Sequence, residues 1–156
     1  MSVESVKEYL KKFGADGKVM EFEESSATVE LAAQAVGVEP ARIAKTLSFK
    51  KDDGCVLIVT AGDAKIDNPK FKQFFSMKAK MLSSDEVLDL VGHPVGGVCP
   101  FGIKEGVPVY LDISMKRFET VFPACGSGKS AIELTCEELF EYSGAKEWID
   151  VCKGWQ

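Results

Sequence analysis

The sequence predicts a mixed α/β fold, a curled, barrel-like sheet with helices at its periphery. Three observations predict it: apolar residues recur at helical spacing in some stretches, other stretches alternate as strands do, and the two kinds interleave irregularly, which disfavours a regular parallel βαβ array. In chain order, Val3, Val6, Leu10 and Phe13 recur at helical spacing behind Ser2 and stop at Gly14, an amphipathic helix with a glycine end. A strand follows around Lys18 to Phe22, then a helix from Thr28 to Val36 closed by Gly37, and Pro40 opens a short third helix. Ala44 to Lys50 and Cys55 to Thr60 are extended runs joined by Lys51-Asp52-Asp53-Gly54, a hairpin in which Gly54 is expected to supply the positive φ. Asn68-Pro69 starts a helix carrying Phe71, Phe74 and Phe75, and a short strand from Lys78 to Leu82 leads into a Ser84-capped helix from Asp85 to Val91. Val107 to Ile113, Thr120 to Ala124 and Ser130 to Leu134 are further strands, and Thr135-Cys136-Glu137-Glu138 is a capping box opening a helix that ends at Gly144.

Length and composition narrow the function. The 156 residues, 46% hydrophobic, suit one domain spanning 1–156, with no repeat or linker to divide it. Nineteen Lys and Arg against 24 Asp and Glu give a formal charge of −5, so a polyanion must be met by a local patch. One such patch is legible: from Lys65 to Lys80 five lysines accompany a single acid, Asp67, and a solvated helix face is the competing reading. No apolar run approaches the roughly 18 residues that cross a bilayer, and the amphipathic start is not a secretion signal, so a cytoplasmic protein without a membrane partner is expected. Five cysteines, widely separated and never in a C-x-x-C pair, form neither a disulfide framework nor a zinc knuckle. With His93 as the single histidine, no metal and no cofactor are expected.

Three segments carry candidate chemistry. Gly126-Ser127-Gly128-Lys129-Ser130 resembles the end of a phosphate-binding P-loop, but Pro123 stands where its first glycine belongs and the alternating stretch that follows reads as a strand instead of a helix. What survives is a turn whose backbone N–H groups can bind an anion or oxyanion. The run Gly92 to Gly102, with four glycines and two prolines, cannot form a regular helix and brings main chain close to any ligand. His93 and Cys99 within it invite a thiol–imidazole pair, yet nothing in the sequence faces one toward the other. Lys45 opens a strand among apolar or small neighbours; it either faces solvent at an edge or faces inward and needs a partner.

Together these segments resemble the YbaK/EbsC family, free-standing relatives of the editing domain in bacterial prolyl-tRNA synthetases. The resemblance rests on Lys45-Thr46-Leu47 after Gly37-Val38-Glu39-Pro40-Ala41-Arg42, on the loop from Gly92 to Gly102, and on Gly126-Ser127-Gly128-Lys129 followed by Glu133-Leu134-Thr135, in order along nearly the whole chain. It implies a YbaK-like fold and hydrolysis of the ester of a mischarged aminoacyl-tRNA, commonly tRNA for proline carrying a non-cognate residue such as cysteine or alanine. The implied partners are the CCA acceptor end and prolyl-tRNA synthetase. By the same resemblance Lys45 anchors the terminal nucleotide with Thr46 adjoining it, and the loop from Gly96 through Gly97 and Val98 to Pro100 embraces the aminoacyl group. Gly126, Ser127 and Gly128 close the pocket, and Phe22, Thr28 and Phe101 are candidate walls, core packing being their alternative.

Such a reaction explains the missing triad. An aminoacyl ester on ribose is already activated, and a bound water or the vicinal hydroxyl can attack it, so positioning and backbone donors for the oxyanion suffice. Some branches of the family carry a histidine where this chain has Lys129-Ser130 and an asparagine where it has Thr46, which argues against the alanine-specific branch. Two rivals stand beside this expectation: a non-catalytic module that binds an aminoacyl or other small ligand, and a thiol enzyme using Cys99 or Cys125.

Overall fold

The computed structural model describes residues 3–156; Ser2, read above as preceding the first helix, lies outside them. Helix α1 (Val3–Leu10) buries Val3, Val6 and Leu10 and tightens into a 3₁₀ turn (Lys11–Phe13) that ends on left-handed Gly14. Strand β1 (Met20–Glu21) precedes α2 (Val29–Val36), which Thr28 caps by accepting from the Leu31 N–H at 3.1 Å. A 3₁₀ turn (Pro40–Arg42) then delivers the chain to β2 (Ile43–Lys51) and β3 (Gly54–Ala61).

The β2–β3 hairpin corrects one expectation. Lys51 pairs with Gly54, so Gly54 is the first strand residue and the turn consists of Asp52 and Asp53. The positive φ falls on Asp52, at 54°, where a short polar side chain tolerates the left-handed region. Further on, β4 (Lys65–Ile66), α3 (Asn68–Phe75) and α4 (Ser84–Leu90) follow. Ser83, not Ser84, caps α4: its hydroxyl accepts from the Glu86 N–H while the Glu86 carboxylate accepts from the Ser83 N–H. The run from Lys78 to Leu82 lies along β2 through one bridge, Phe49 to Met81, and through hydrogen bonds from Lys50 N to Lys80 O and Leu82 N to Ser48 O.

The last third contains β5 (Val109–Asp112), a 3₁₀ turn (Ile113–Arg117), β6 (Thr120–Pro123), β7 (Ser130–Ala131), β8 (Leu134–Thr135), α5 (Cys136–Ser143), β9 (Trp148–Ile149) and β10 (Cys152–Lys153). The strand expected from Ser130 to Leu134 is two, because β7 pairs with β1 and β8 with β6. The capping box Thr135–Glu138 and the left-handed Gly144 bound α5 as the sequence predicts.

Six strands form a mixed, curled sheet in the order β8-β6-β2-β3-β5-β9, with β1–β7 and β4–β10 as two-stranded ribbons, and the mixed α/β architecture stands as predicted. β2 and β3 run antiparallel, while β2–β6, β3–β5 and β5–β9 are parallel. The central strand β3 is buried from Cys55 to Ala61, and the rings of Phe49, Phe71 and Phe75 pack in tilted pairs with centroids 4.7 to 5.0 Å apart. This rigid centre fixes the neighbouring β2, which carries Lys45.

Candidate functional site

Lys45 and Thr46 are consecutive residues of β2, half-buried at the end of the strand nearest α2. The Lys45 ammonium donates to the carbonyl of Ala64 at 2.6 Å and of Gly62 at 3.3 Å, both in the turn between β3 and β4. An ammonium has three N–H groups, so one remains for a ligand. Burial lowers the proton affinity of Lys45, opposed by Cys152, Asp63 and Glu30 and reinforced by Lys65. A cavity of about 390 Å³ lies against this strand, within the range of small-ligand sites. Thr28, Val29 and Ala32 of α2 and its cap form one wall, Leu82 and Val87 another, and Val95, Gly96 and Val98 a third. Among the described residues lining it, Lys45 is the one charged side chain. Thr46 also lines this cavity, and its hydroxyl is buried with no hydrogen-bond partner among the described residues.

The two glycine segments meet. A Cβ on Gly97 would stand 2.7 Å from Gly126 C, Ser127 N and Ser127 Cα, so only a bare α-carbon allows the loops to touch. Gly96 and Gly126 take φ of 94° and 92° on either side of this contact. Gly128 packs on Ala27, and Ala27 separates the first cavity from a second, shallower hollow lined by Phe22, Ser127 and Gly128. The structure thus brings Lys45, Thr46, Thr28, Gly96 and Val98 to one cavity, puts Gly97 and Gly126 behind its wall, and puts Phe22, Ser127 and Gly128 on the far side of the turn. Ser127 Oγ is engaged within the turn, 3.1 Å from Ser130 Oγ and accepting from Lys129 N at 3.2 Å. Pro100 is buried, and Phe101 is not a wall: it is fully buried against Tyr9, in keeping with its apolar ring.

Residues 23–142 match a family described as the aminoacyl-tRNA editing domain. The chain belongs to this editing family. The uncharacterised protein YwhH of Bacillus subtilis (strain 168) is 58% identical over the full length of both chains. The Enterococcus faecalis (strain ATCC 700802 / V583) protein named "Putative Cys-tRNA(Pro)/Cys-tRNA(Cys) deacylase EbsC" is 27% identical, covering 79% of this chain and 76% of its own. A crystal structure described as "a putative trans-editing enzyme for prolyl tRNA synthetase" superposes with a TM-score of 0.88 at 31% identity, covering 97% of each chain. Of two matching proline–tRNA ligases the chain spans 16% and 22% of the length.

In this editing domain the turn that holds Lys45 had no motif to announce it. Gly62 is wedged so closely that a Cβ there would overlap the Pro40 carbonyl oxygen and press on Val29. A glycine between two apolar elements is the faint signal that could have found it.

His93 and Cys99, which the sequence left unoriented, lie together: Cys99 Sγ is 3.6 Å from His93 Nε2. The geometry is nevertheless poor for thiolate chemistry. His93 Nε2 sits 2.7 Å from the Phe101 carbonyl, which can only accept, so that nitrogen carries its proton and cannot receive one from sulfur. Complete burial pushes the Cys99 thiol up to about 12, and Cys125 is likewise raised by burial, so neither is a thiolate near neutral pH. Cys99→Ala is expected to keep hydrolysis within about twofold of the parent, measured by release of amino acid from aminoacyl-tRNA; a loss of about a hundredfold with substrate binding intact would restore the thiol reading.

His93 also sets a stability window. Burial lowers its proton affinity below the ordinary value of 6.5, so below that pH the unfolded chain binds more protons than the folded one. Stability is therefore full above pH 6.5 and falls as the pH drops toward the depressed folded value. Glu86, held at about 2 by the Ser83 N–H and then Lys50, loses its contribution only at pH below its ordinary 4.5. Scanning calorimetry from pH 7 to 5 should show the melting temperature falling by about 2–4 °C per kcal/mol lost, and His93→Gln should flatten that slope.

Proposed function

We propose that the protein is an aminoacyl-tRNA deacylase that hydrolyses the ester of a mischarged tRNA, tRNA for proline carrying a small non-cognate residue such as cysteine or alanine. The observation that carries this reading is that Lys45, Gly96 and Val98 line one cavity, behind whose wall Gly97 meets Gly126 and Ser127. Membership of the editing family and the names borne by its relatives support the same reaction class.

In this reading water attacks the ester carbonyl carbon and the negative charge develops on the carbonyl oxygen; as the intermediate collapses the C–O bond to ribose breaks, and the departing ribose oxygen takes the proton given up by the attacking water, leaving a free hydroxyl and the free amino acid. Attack by the vicinal hydroxyl would only move the acyl group between ribose oxygens, so water is needed for release. Backbone N–H groups of the glycine loops are suited to the developing oxyanion, and one donor of that kind is worth about a hundredfold to a thousandfold in rate. The remaining Lys45 N–H anchors the terminal nucleotide.

The acceptor end has a route to the cavity. Met81 lines the mouth, and the exposed Lys78 and Lys80 precede it on the same extended segment, with Lys72 exposed on α3. Lys70 is committed to Asp150 at 3.0 Å and does not add to this patch. Few phosphates are neutralised by so small a patch, so binding of tRNA is weak and modestly salt-dependent.

The test is a panel of tRNA for proline charged with alanine, cysteine, serine and proline, incubated with the protein at neutral pH. Release of one or more non-cognate residues, with prolyl-tRNA spared, is the expected result. No turnover across the panel would overturn the proposal in favour of a non-catalytic aminoacyl-binding module.

A further inference from the structure

The turn that holds the Lys45 ammonium is itself held. Asp63 lies between the two residues of that turn whose carbonyls accept from Lys45, Gly62 and Ala64, and its carboxylate accepts from both Nη atoms of Arg117, at 2.6 and 3.0 Å. A two-pronged guanidinium–carboxylate pair fixes orientation as well as distance. Arg117 is in turn held at several points. Its Nε donates to Ser114 O at 2.8 Å, its Nη1 donates to Trp155 O at 3.1 Å, and its guanidinium lies over the rings of Phe118 and Trp155 at 4.8 and 5.1 Å. Ser114 closes the circuit by accepting from the Ala61 N–H at 3.1 Å, the last residue of β3 before the turn. On the opposite side, Gly62 is pressed against Pro40 and Val29. The turn is held from both sides, by the Asp63–Arg117 pair and by the packing of Gly62 on Pro40 and Val29.

From this geometry we infer that Asp63 and Arg117 are positioning residues for the deacylation chemistry, a clamp that fixes the two carbonyls bound by the Lys45 ammonium and so aims its third N–H into the cavity. The inference rests on the deacylase reading for its catalytic consequence and on geometry alone for the clamp. Neither residue lines the cavity, so both act through Lys45. The pair also sets the local field. The groups acting on the ammonium are Asp63, Lys65, Glu30 and Cys152, and Arg117 partly neutralises Asp63, whose own carboxyl it holds below the usual range.

Two readouts separate the clamp from a merely structural ion pair. Side-chain ¹⁵N NMR of Lys45 in the ligand-free protein reports its titration whether or not any tRNA is hydrolysed. Asp63→Asn removes a negative charge and should move that titration, and the alkaline limb of the pH–rate profile, to lower pH. Arg117→Ala leaves the carboxylate uncompensated and should move both to higher pH. Each variant should lower kcat on the best aminoacyl-tRNA of the panel about tenfold with KM within twofold, and Arg117→Lys should recover part of the loss. Circular dichroism and melting temperature establish that the variants fold. Folded variants with an unmoved Lys45 titration, or with kcat unchanged, overturn the clamp. Opposite titration shifts in a protein that hydrolyses nothing would leave the clamp standing and overturn the deacylase reading instead.

Discussion

Lys45→Ala is expected to reduce hydrolysis of the mischarged substrate by about a hundredfold or more, as kcat/KM in a steady-state assay of amino-acid release. A hydrogen bond to a charged group contributes about 1.5–3 kcal/mol, and here its loss also leaves the Gly62 and Ala64 carbonyls without their donor. Lys45→Arg is no remedy, because a planar fork cannot reproduce three tetrahedral N–H directions. Burial depresses the lysine, so in the parent the ammonium is lost, and activity with it, at a pH below that of an ordinary lysine near 10.4. The Ala variant should lack that alkaline limb. Turnover within threefold of the parent would remove Lys45 from the site.

Gly97→Ala should have the second largest effect. The added methyl meets three main-chain atoms at 2.7 Å, and main chain cannot swing aside as a side-chain tip can. The Gly92–Gly102 and Gly126–Lys129 segments must separate, at a cost of about 1–3 kcal/mol, and the cavity loses its closed end. Chemical denaturation should register the destabilisation and the panel assay the loss of activity. Gly106→Ala serves as the control: its φ of 87° strains a side chain, but a Cβ there meets nothing within 4 Å. It should lose some stability and no activity. Equal activity in both variants would show that contact between the loops is dispensable.

What the sequence disclosed follows the range of the interactions involved. The Thr135–Glu138 capping box and the Thr28 cap are local hydrogen bonds within four residues, and both helix starts are legible without knowledge of the rest. β9 and β10 escaped because two-residue strands carry no alternation of their own; they exist by pairing with β5 and β4. At the β2–β3 turn a glycine and an aspartate can each take a positive φ, and only the pairing of Lys51 with Gly54 decides between them. Lys45, Thr46 and the glycine loops were visible as a pattern. The Gly62 and Ala64 carbonyls were not, as every residue has a carbonyl and only the fold selects two of them. Phe101 misled because a large apolar ring suits a pocket and a core equally.

The meeting of Gly97 with Gly126 and Ser127 has a consequence for when the protein becomes competent during its synthesis. The lysine strand and its hairpin partner are complete once residue 61 has emerged, but the segments that enclose the hollow span residues 26 to 131. A chain that has emerged from the ribosome only as far as residue 61 therefore displays the lysine before it owns a chamber, which is enclosed once residue 131 has followed.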